Sequence, residues 1–332
     1  MRVILHLGLH KTGTTAIQSA LSMGKLPKTV HFWKEANELH RALSDRELTA
    51  FRQFTRQLEE LKDSGIQTLV VSSEYFCGDP WNSYRNRSEI LIALRNFFKG
   101  NELVPILFLR RQDKLLESLW KQSVKQGALE GFEDFCACKD RLESLDFKKL
   151  VDAISTHLGV LPTVSDYSPS KDSVSEFWNL SELPKATLPD LAYRPNPVWP
   201  DHFIVLMQFL NSKSRVSKVN CRRTLDRIAS TYMLHSTDTV FSSAIWKNKI
   251  QNRFQSRNRI FVESYMPSEI KGSGLLWAQA ASCPKLDDKL HSEIPLEEAI
   301  EFLLVSIAEQ PHTTRDSRVR MWARKLRKIL SN

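Results

Sequence analysis

The residues best suited to chemistry lie near the N-terminus, in the sequence Gly-Leu-His-Lys-Thr-Gly-Thr-Thr at residues 8–15. A short apolar run at residues 3–7 predicts a buried strand before them, and apolar residues at helical spacing predict a helix that begins at Gly13. A loop between a strand and a helix directs backbone N–H groups and the positive end of the helix dipole at one point. Thr14 and Thr15 add hydroxyl donors there. We therefore predict that residues 8–15 bind an anion.

The position of the lysine indicates which anion suits this loop. Nucleoside triphosphatases carry G-x-x-x-x-G-K-[ST], in which the lysine contacts the β- and γ-phosphates beside Mg²⁺. Here Thr14 follows the second glycine, and the lysine is Lys11, inside the loop. A 5′-phosphosulfate carries fewer charges than a triphosphate, so it needs Mg²⁺ less. We expect Lys11 to stabilise the bridging oxygen as the bond to it breaks.

The five residues Lys11, Thr12, Gly13, Thr14 and Thr15 match a family motif. Their order is similar to the K-x-G-T-T motif of the sulfotransferase superfamily that uses 3′-phosphoadenosine-5′-phosphosulfate (PAPS), whose loop binds the 5′-phosphosulfate. The resemblance implies a P-loop fold, PAPS as the sulfuryl donor and a reaction that requires no metal. It extends loosely over the first two thirds of the chain and is sharp at two places only.

The second of these places is the end of an apolar run at residues 103–109. Sulfotransferases carry an arginine at this strand end and a serine eight positions later, which together hold the 3′-phosphate of the donor. Arg110 and Ser118 stand at that spacing, and a guanidinium can grip a phosphate through two hydrogen bonds. The residues from Arg110 resemble the R-P-Q-D variant of bacterial sulfotransferase-like proteins, with Arg111 in place of proline. Either arginine is therefore a candidate for the phosphate ligand.

Transfer to a hydroxyl also needs a general base. Glu74 is the first candidate, because it follows the second predicted strand and the carboxyl ends of parallel strands hold the site in open α/β sheets. The alternative role for Glu74 is an ion pair with an arginine such as Arg110. His10 in the anion loop is the second candidate, and its alternative role is to cap the turn. Glu35 and His31 are weaker candidates, for contacts with the acceptor.

Strands and helices must alternate for these elements to meet. Strands are predicted at residues 3–7, 67–72, 103–109 and 163–167, and helical regions from residue 13 and at residues 34–62, 88–99 and 113–126. This order predicts an α/β fold, a P-loop NTPase-like parallel sheet flanked by helices. Beyond about residue 170 prolines cluster and amphipathic helices follow. We expect one sulfotransferase domain of residues 1–332, with a PAPS-binding core at 1–170 and a mainly helical part at 171–332.

The composition indicates a globular protein but does not identify its partner. The 332 residues are 42% hydrophobic and 26% charged, as in globular proteins. The formal charge of +9 favours anionic partners, and a basic amphipathic helix at residues 315–330 either docks on an anionic membrane or polymer or packs on the protein. Five cysteines without regular spacing indicate free thiols. The absence of a long apolar segment and of a signal peptide predicts a cytoplasmic protein.

Two other functions remain open at this point. A P-loop nucleotide kinase or NTPase would use Mg-ATP, although the lysine is displaced and neither Leu-rich strand ends in aspartate; Glu74 could substitute for that aspartate. A polyanion-binding protein without enzymatic activity would explain the charge, but no nucleic-acid motif is recognisable, so no specific nucleic acid is expected. The resemblance and the charge favour a carbohydrate as the acceptor. An R-x-N element at residues 194–196 resembles one in related bacterial proteins and could close over a ligand.

Overall fold

Five parallel strands form one sheet in the computed structural model, which describes residues 1–45, 47–167, 172–189, 199–213, 217–231 and 244–265. The strands are β1 (Arg2–His6), β2 (Val30–Trp33), β3 (Thr68–Ser72), β4 (Glu102–Leu109) and β5 (Thr163–Asp166). Their order in the sheet is β2-β3-β1-β4-β5, and every neighbouring pair is parallel. The predicted α/β fold with a parallel sheet flanked by helices is confirmed.

Helices connect and follow the strands. They are α1 (Thr14–Met23), α2 (Ala36–Ser44), α3 (Leu48–Asp63), α4 (Arg87–Phe97), α5 (Gln112–Lys125), α6 (Phe132–Ala137), α7 (Lys139–Ser144), α8 (Phe147–Leu158), α9 (Ser173–Leu180), α10 (Asp201–Ser212), α11 (Lys218–Thr231) and α12 (Ala244–Tyr265). Short 3-10 turns lie at Glu74–Cys77, Pro80–Asn82 and Lys185–Thr187. No described helix combines the length and the apolar composition that crossing a bilayer requires.

Strand β2 is missing from the sequence-based prediction. It lies at the edge of the sheet and pairs with β3. Of its four residues only Phe32 and Trp33 are buried, so it carries no apolar run that distinguishes a strand from a loop. The helical region predicted at residues 34–62 is two helices, α2 and α3, rather than one.

The sheet is buried on both faces. Ile4, Val70 and Ile106 lie on one face and belong to the same apolar cluster as Ile17 of α1 and Phe177 of α9. The alternate strand residues, which lie on the opposite face, are fully buried too: Val3, Leu5, Leu69, Val71, Leu107 and Leu109. Because neither face meets water, each inner strand contains a continuous apolar run. These runs make β1, β3 and β4 recognisable in the sequence.

The described residues divide into two compact units that are interleaved along the chain. One contains the described residues of Met1–Leu119, Cys136–Pro195 and Trp246–Cys283, and it holds the whole sheet. The other contains those of Trp120–Phe135 and Asn196–Ile245, which form helices and their connections. A single sulfotransferase domain of residues 1–332 stays a prediction. The predicted basic helix at 315–330 and the R-x-N element at 194–196 lie outside the described residues.

A buried pair of side-chain amides attaches α12 to the first residue of α5. Gln112 Nε2 donates to Asn258 Oδ1 at 2.8 Å, and Asn258 Nδ2 donates to Gln112 Oε1 at 3.0 Å. We expect Asn258→Ala to lower the free energy of unfolding by about 2–3 kcal/mol, because the buried Gln112 amide then loses its two hydrogen bonds to α12. Urea denaturation measures the change.

Asn252 provides the matched control for this prediction. It lies on the same helix and is exposed, so Asn252→Ala should change the free energy of unfolding by less than about 0.5 kcal/mol. An equally small change for Asn258→Ala would show that the amide pair contributes nothing to the stability of the fold.

Candidate functional site

The site residues lie at the carboxyl edge of the sheet, where its topology changes direction. Strand β1 is the middle strand, and the chain first adds β2 and β3 on one side of it and then β4 and β5 on the other. In an open parallel sheet, loops that leave such a point in opposite directions usually form a crevice that binds a ligand. The residues after these strands are the anion loop after β1, Glu74 after β3 and Arg110 after β4.

Backbone hydrogen bonds continue from β1 into the anion loop. Leu7 N donates to Ile106 O at 2.9 Å, and Leu9 N donates to Phe108 O at 3.0 Å. The loop thus follows β4 almost to its end before it turns into α1. Its Lys11 carbonyl then accepts a hydrogen bond from Arg110 Nη1 at 3.1 Å. Two motif elements that lie 99 residues apart in the chain are directly bonded.

The end of the loop requires a glycine. Gly13 has φ 85° and Lys11 has φ 65°, both in the left-handed region. A Cβ atom at Gly13 would lie 2.6 Å from Ser173 Oγ, at the beginning of α9, which is closer than real contacts allow. Helix α1 begins directly after Gly13, with no side-chain cap and no acidic residue in its first turn. The positive end of this helix is therefore not neutralised by a carboxylate of that turn.

The loop threonines divide into different roles. Thr12 is fully buried, and its Oγ1 donates to Leu9 O at 2.5 Å, so it stabilises the turn. Thr14 is also buried, but its Oγ1 has no hydrogen-bond partner in the part of the chain that the structure describes. Thr15 is exposed in the first turn of α1. A buried hydroxyl without a partner at a helix N-terminus is suited to a bound oxyanion.

The two arginines after β4 are not equivalent. Arg111 donates to both carboxylate oxygens of Asp113, from Nε at 2.6 Å and from Nη2 at 2.8 Å, and Asp113 is buried. Arg110 forms no ion pair among the described residues, and its buried Nε has no hydrogen-bond partner there. Burial lowers the pKa of Arg110, but the guanidinium stays charged at neutral pH. The geometry therefore favours Arg110 over Arg111 as an anion ligand.

Ser118 lies in the second turn of α5, the helix that begins two residues after Arg110. Its side chain is half-buried. A helix fixes the direction of a residue in its second turn relative to the chain that enters it. Ser118 thus stays in a constant position relative to the end of β4.

Glu74 packs directly against the anion loop. A Cβ atom at Gly8 would lie 2.9 Å from Glu74 Cα, so only a glycine lets these two backbones approach. Burial raises the pKa of Glu74, while a backbone hydrogen bond and the positive charge of Lys11 oppose the rise. Glu74 forms no ion pair with Arg110 or with any other described residue. The alternative role as an ion-pair carboxylate is therefore not observed.

His10 lies deeper than Glu74. It is buried between the rings of Tyr75, with centroids 4.9 Å apart, and Tyr84, at 5.9 Å. Burial, with smaller contributions from Lys11 and His40, lowers the pKa of His10 to about 3. Neither ring nitrogen makes a hydrogen bond within the described residues, so His10 does not cap the turn. An imidazole that is this difficult to protonate is a weak base.

The weaker candidates for acceptor contacts lie at the edge of the sheet. His31 is half-buried on β2, and burial lowers its pKa although Glu35 opposes the shift. Glu35 is exposed at the start of α2. Strand β3 separates β2 from β1 in the sheet. His31 thus lies on β2 and Glu35 follows it, whereas the anion loop follows β1 and Glu74 follows β3.

Two residues at the site were not identified from the sequence. Tyr167 directly follows β5, and its Cε2 lies 3.2 Å from the position of a Cβ atom on Gly13. Ser173 is the other neighbour of Gly13. Tyr167 could have been identified by the rule that singled out Glu74, since it stands at the carboxyl end of a predicted strand. No local signal in the sequence indicates the position of Ser173.

The cysteines have no assigned role in the candidate site. Cys77, Cys138 and Cys221 are free thiols, Cys136 is fully buried, and Cys283 lies outside the described residues. Burial raises the pKa of Cys77 to about 12, so it is protonated and unreactive at neutral pH. Within the described residues, no three His, Cys, Asp or Glu side chains are grouped as metal ligands.

Known proteins provide no independent identification of this site. The chain matches no protein-family model, no curated protein and no solved structure. Its resemblance to sulfotransferases thus rests on the residues of the anion loop and of the end of β4.

Proposed function

We propose that this protein is a sulfotransferase that transfers a sulfuryl group from PAPS to a hydroxyl group of a carbohydrate acceptor. The observation that carries the proposal is the 3.1 Å hydrogen bond from Arg110 to the carbonyl of Lys11. It joins the two elements that resemble the 5′-phosphosulfate and 3′-phosphate sites of the family. Chance similarity of two short motifs does not require them to meet.

The donors at this crevice suit a ligand with two anionic groups. Thr14 Oγ1 and Arg110 Nε are buried and have no hydrogen-bond partner among the described residues. A buried donor without a partner costs about 1–3 kcal/mol, which a ligand oxygen can offset. Thr14 and the first turn of α1 would hold the 5′ group of the donor, and Arg110 with Ser118 would hold the 3′-phosphate. The uncapped positive end of α1 adds to the attraction.

The chain supplies a base, Glu74, and a cation, Lys11, for the transfer. PAPS provides the sulfuryl group when it is bound. Glu74 accepts the proton of the acceptor hydroxyl as that oxygen forms its bond to sulfur. Lys11 stabilises the charge on the bridging oxygen as its bond to sulfur breaks and 3′-phosphoadenosine 5′-phosphate (PAP) leaves. The raised pKa of Glu74 makes it a better proton acceptor than an ordinary carboxylate, and a better one than His10.

Fewer observations support the carbohydrate acceptor than support PAPS as the donor. The formal charge of +9 suits an anionic glycan or glycan precursor, and the resemblance is to bacterial sulfotransferase-like proteins. A PAPS-consumption assay against a panel of sugars, glycolipids and phenols identifies the acceptor. Turnover with phenols alone would contradict this part of the proposal and leave the donor assignment intact.

Thermal unfolding with nucleotides tests the donor. PAP without Mg²⁺ at 100 times its Kd should stabilise the protein by about 2.7 kcal/mol and raise Tm by several degrees, whereas ATP with Mg²⁺ should not. Stabilisation by Mg-ATP and not by PAP would indicate a nucleotide kinase or NTPase instead. Strong salt-sensitive binding of DNA or RNA with no response to PAP would indicate a polyanion-binding protein.

The pH dependence of turnover tests the base. Glu74 must be ionised to accept a proton, so kcat/KM should rise with pH through its pKa, and burial places that rise above the ordinary carboxyl range. Glu74→Gln should lower kcat by about 10²- to 10⁴-fold and abolish the rise. The exposed Glu89 is the control, and Glu89→Gln should leave both unchanged. A near-normal kcat for Glu74→Gln with unchanged PAP binding would exclude Glu74 as the base.

The same substitution should make the protein more stable. The pKa of Glu74 is raised in the folded state, so its ionised form destabilises the fold at pH 7. Glu74→Gln should therefore raise Tm at pH 7, and the gain should vanish as the pH falls below the carboxyl pKa of the unfolded chain. Glu89→Gln should show no such pH-dependent gain. A lower Tm for Glu74→Gln at pH 7 would contradict the burial penalty.

A further inference from the structure

The ring of Tyr167 lies between the two anion-binding elements of the site. Its backbone N–H donates to Leu109 O at 2.6 Å, which fixes Tyr167 beside the residue that precedes Arg110. The guanidinium carbon of Arg110 lies 5.6 Å from the centroid of the Tyr167 ring, within the range of a cation–π contact. The ring also lies beside the anion loop, because Tyr167 Cε2 is 3.2 Å from the position of a Cβ atom on Gly13.

The Arg110 side chain is oriented by two contacts. Nη1 donates to Lys11 O, and the guanidinium carbon lies over the ring of Tyr167. No carboxylate among the described residues forms an ion pair with Arg110, although the charges of Glu117 and Asp113 oppose the lowering of its pKa by burial. Without the ring, the long side chain would be held at Nη1 alone and would lose rotamer freedom only when it binds a ligand.

We propose that Tyr167 is a positioning residue that orients Arg110 for the 3′-phosphate and thereby sets the preference for nucleotides that carry one. The inference rests on the proposed function, because it assigns the 3′-phosphate to Arg110. The proposed contact is made by the ring and not by the hydroxyl of Tyr167. Phenylalanine should therefore replace tyrosine, and an aliphatic residue should not.

Binding of PAP and of adenosine 5′-phosphate separates the two groups of the nucleotide. Adenosine 5′-phosphate lacks the 3′-phosphate, so the binding of its phosphate group depends on the anion loop alone. We expect Tyr167→Leu and Tyr167→Met to raise the Kd for PAP about tenfold and to change the Kd for adenosine 5′-phosphate less than about twofold. Tyr167→Phe should bind both like the unmodified protein. Isothermal titration calorimetry on the full chain measures the Kd values, and circular dichroism checks folding.

Coupling with Arg110 distinguishes positioning from a general effect on the fold. If the ring acts through Arg110, Arg110→Gln should remove the preference for PAP, and adding Tyr167→Leu should weaken PAP binding little further. Tyr265→Leu is the matched control, since Tyr265 on α12 bonds to Asp152 and does not contact the loop. It should leave the preference unchanged.

Each outcome has one meaning. Equal weakening of both nucleotides by Tyr167→Leu, additive losses in the double variant, or normal PAP binding in Tyr167→Leu and Tyr167→Met would overturn the inference while the proposed function stands. Failure of the unmodified protein to bind PAP would overturn the proposed function, and the inference with it. Loss of PAP binding by Tyr167→Phe would show that the hydroxyl acts rather than the ring.

Discussion

Replacing Lys11 with alanine is expected to lower kcat by about 10²- to 10³-fold and to change the Kd for PAP by less than about threefold. The reason is that Lys11 would act on charge that develops only as the bond to the bridging oxygen breaks. Alanine and lysine are equally strained at φ 65°, so the loop conformation should persist. Its carbonyl, which accepts from Arg110, is also retained.

A second effect of the same substitution follows from the electrostatics. The charge of Lys11 lowers the pKa of Glu74, in opposition to burial. Its removal should raise the pKa of Glu74 further and move the acid limb of kcat/KM to higher pH. A pH series of initial rates measures both effects in one experiment.

Lys99 is the control for the Lys11 variant. It is exposed and precedes the amino end of β4, at the edge of the sheet opposite to the site. Lys99→Ala should leave kcat, the Kd for PAP and the pH profile unchanged. A Lys11→Ala protein that turns over at a normal rate would remove lysine from the reaction and weaken the case for a phosphosulfate donor.

Replacing each of the two adjacent arginines with glutamine is expected to affect different properties: PAP binding for Arg110 and the stability of the fold for Arg111. Arg110→Gln should weaken PAP binding by about 2–4 kcal/mol, or 30- to 1,000-fold, with little loss of stability, because it removes a charged ligand of the 3′-phosphate. Arg111→Gln should lower the free energy of unfolding by about 2 kcal/mol, because it leaves the buried carboxylate of Asp113 without its two strongest hydrogen bonds. Its effect on PAP binding should be small.

Titration calorimetry and urea denaturation of the two variants measure these effects independently. Each arginine is the matched control for the other, since they are neighbours with the same side chain. The reverse pattern, with lost PAP binding in Arg111→Gln and an unaffected Arg110→Gln, would assign the phosphate to Arg111 instead.

The inner strands were predictable because a strand that is buried on both faces has consecutive apolar residues in the sequence. Residues 3–5, 69–71 and 103–109 are continuous apolar runs, and they lie within β1, β3 and β4. The edge strand β2 has no such signal, because two buried residues in four are common in loops and helices as well. The pairing of β2 with β3 is a contact between distant segments that its own residues do not encode.

What the sequence by itself determined is which residues could take part: the glycines and threonines of the anion loop, Lys11, Glu74 and the two arginines after β4. Their chemistry is a property of each side chain and of short-range spacing. Only the tertiary structure decided which of them act together. It paired Arg111 with Asp113 and left Arg110 to the Lys11 carbonyl and the Tyr167 ring. It also buried His10 more deeply than Glu74. The Arg111–Asp113 pair is local, but the other choices depend on strand order and burial, since their partners are distant in the chain.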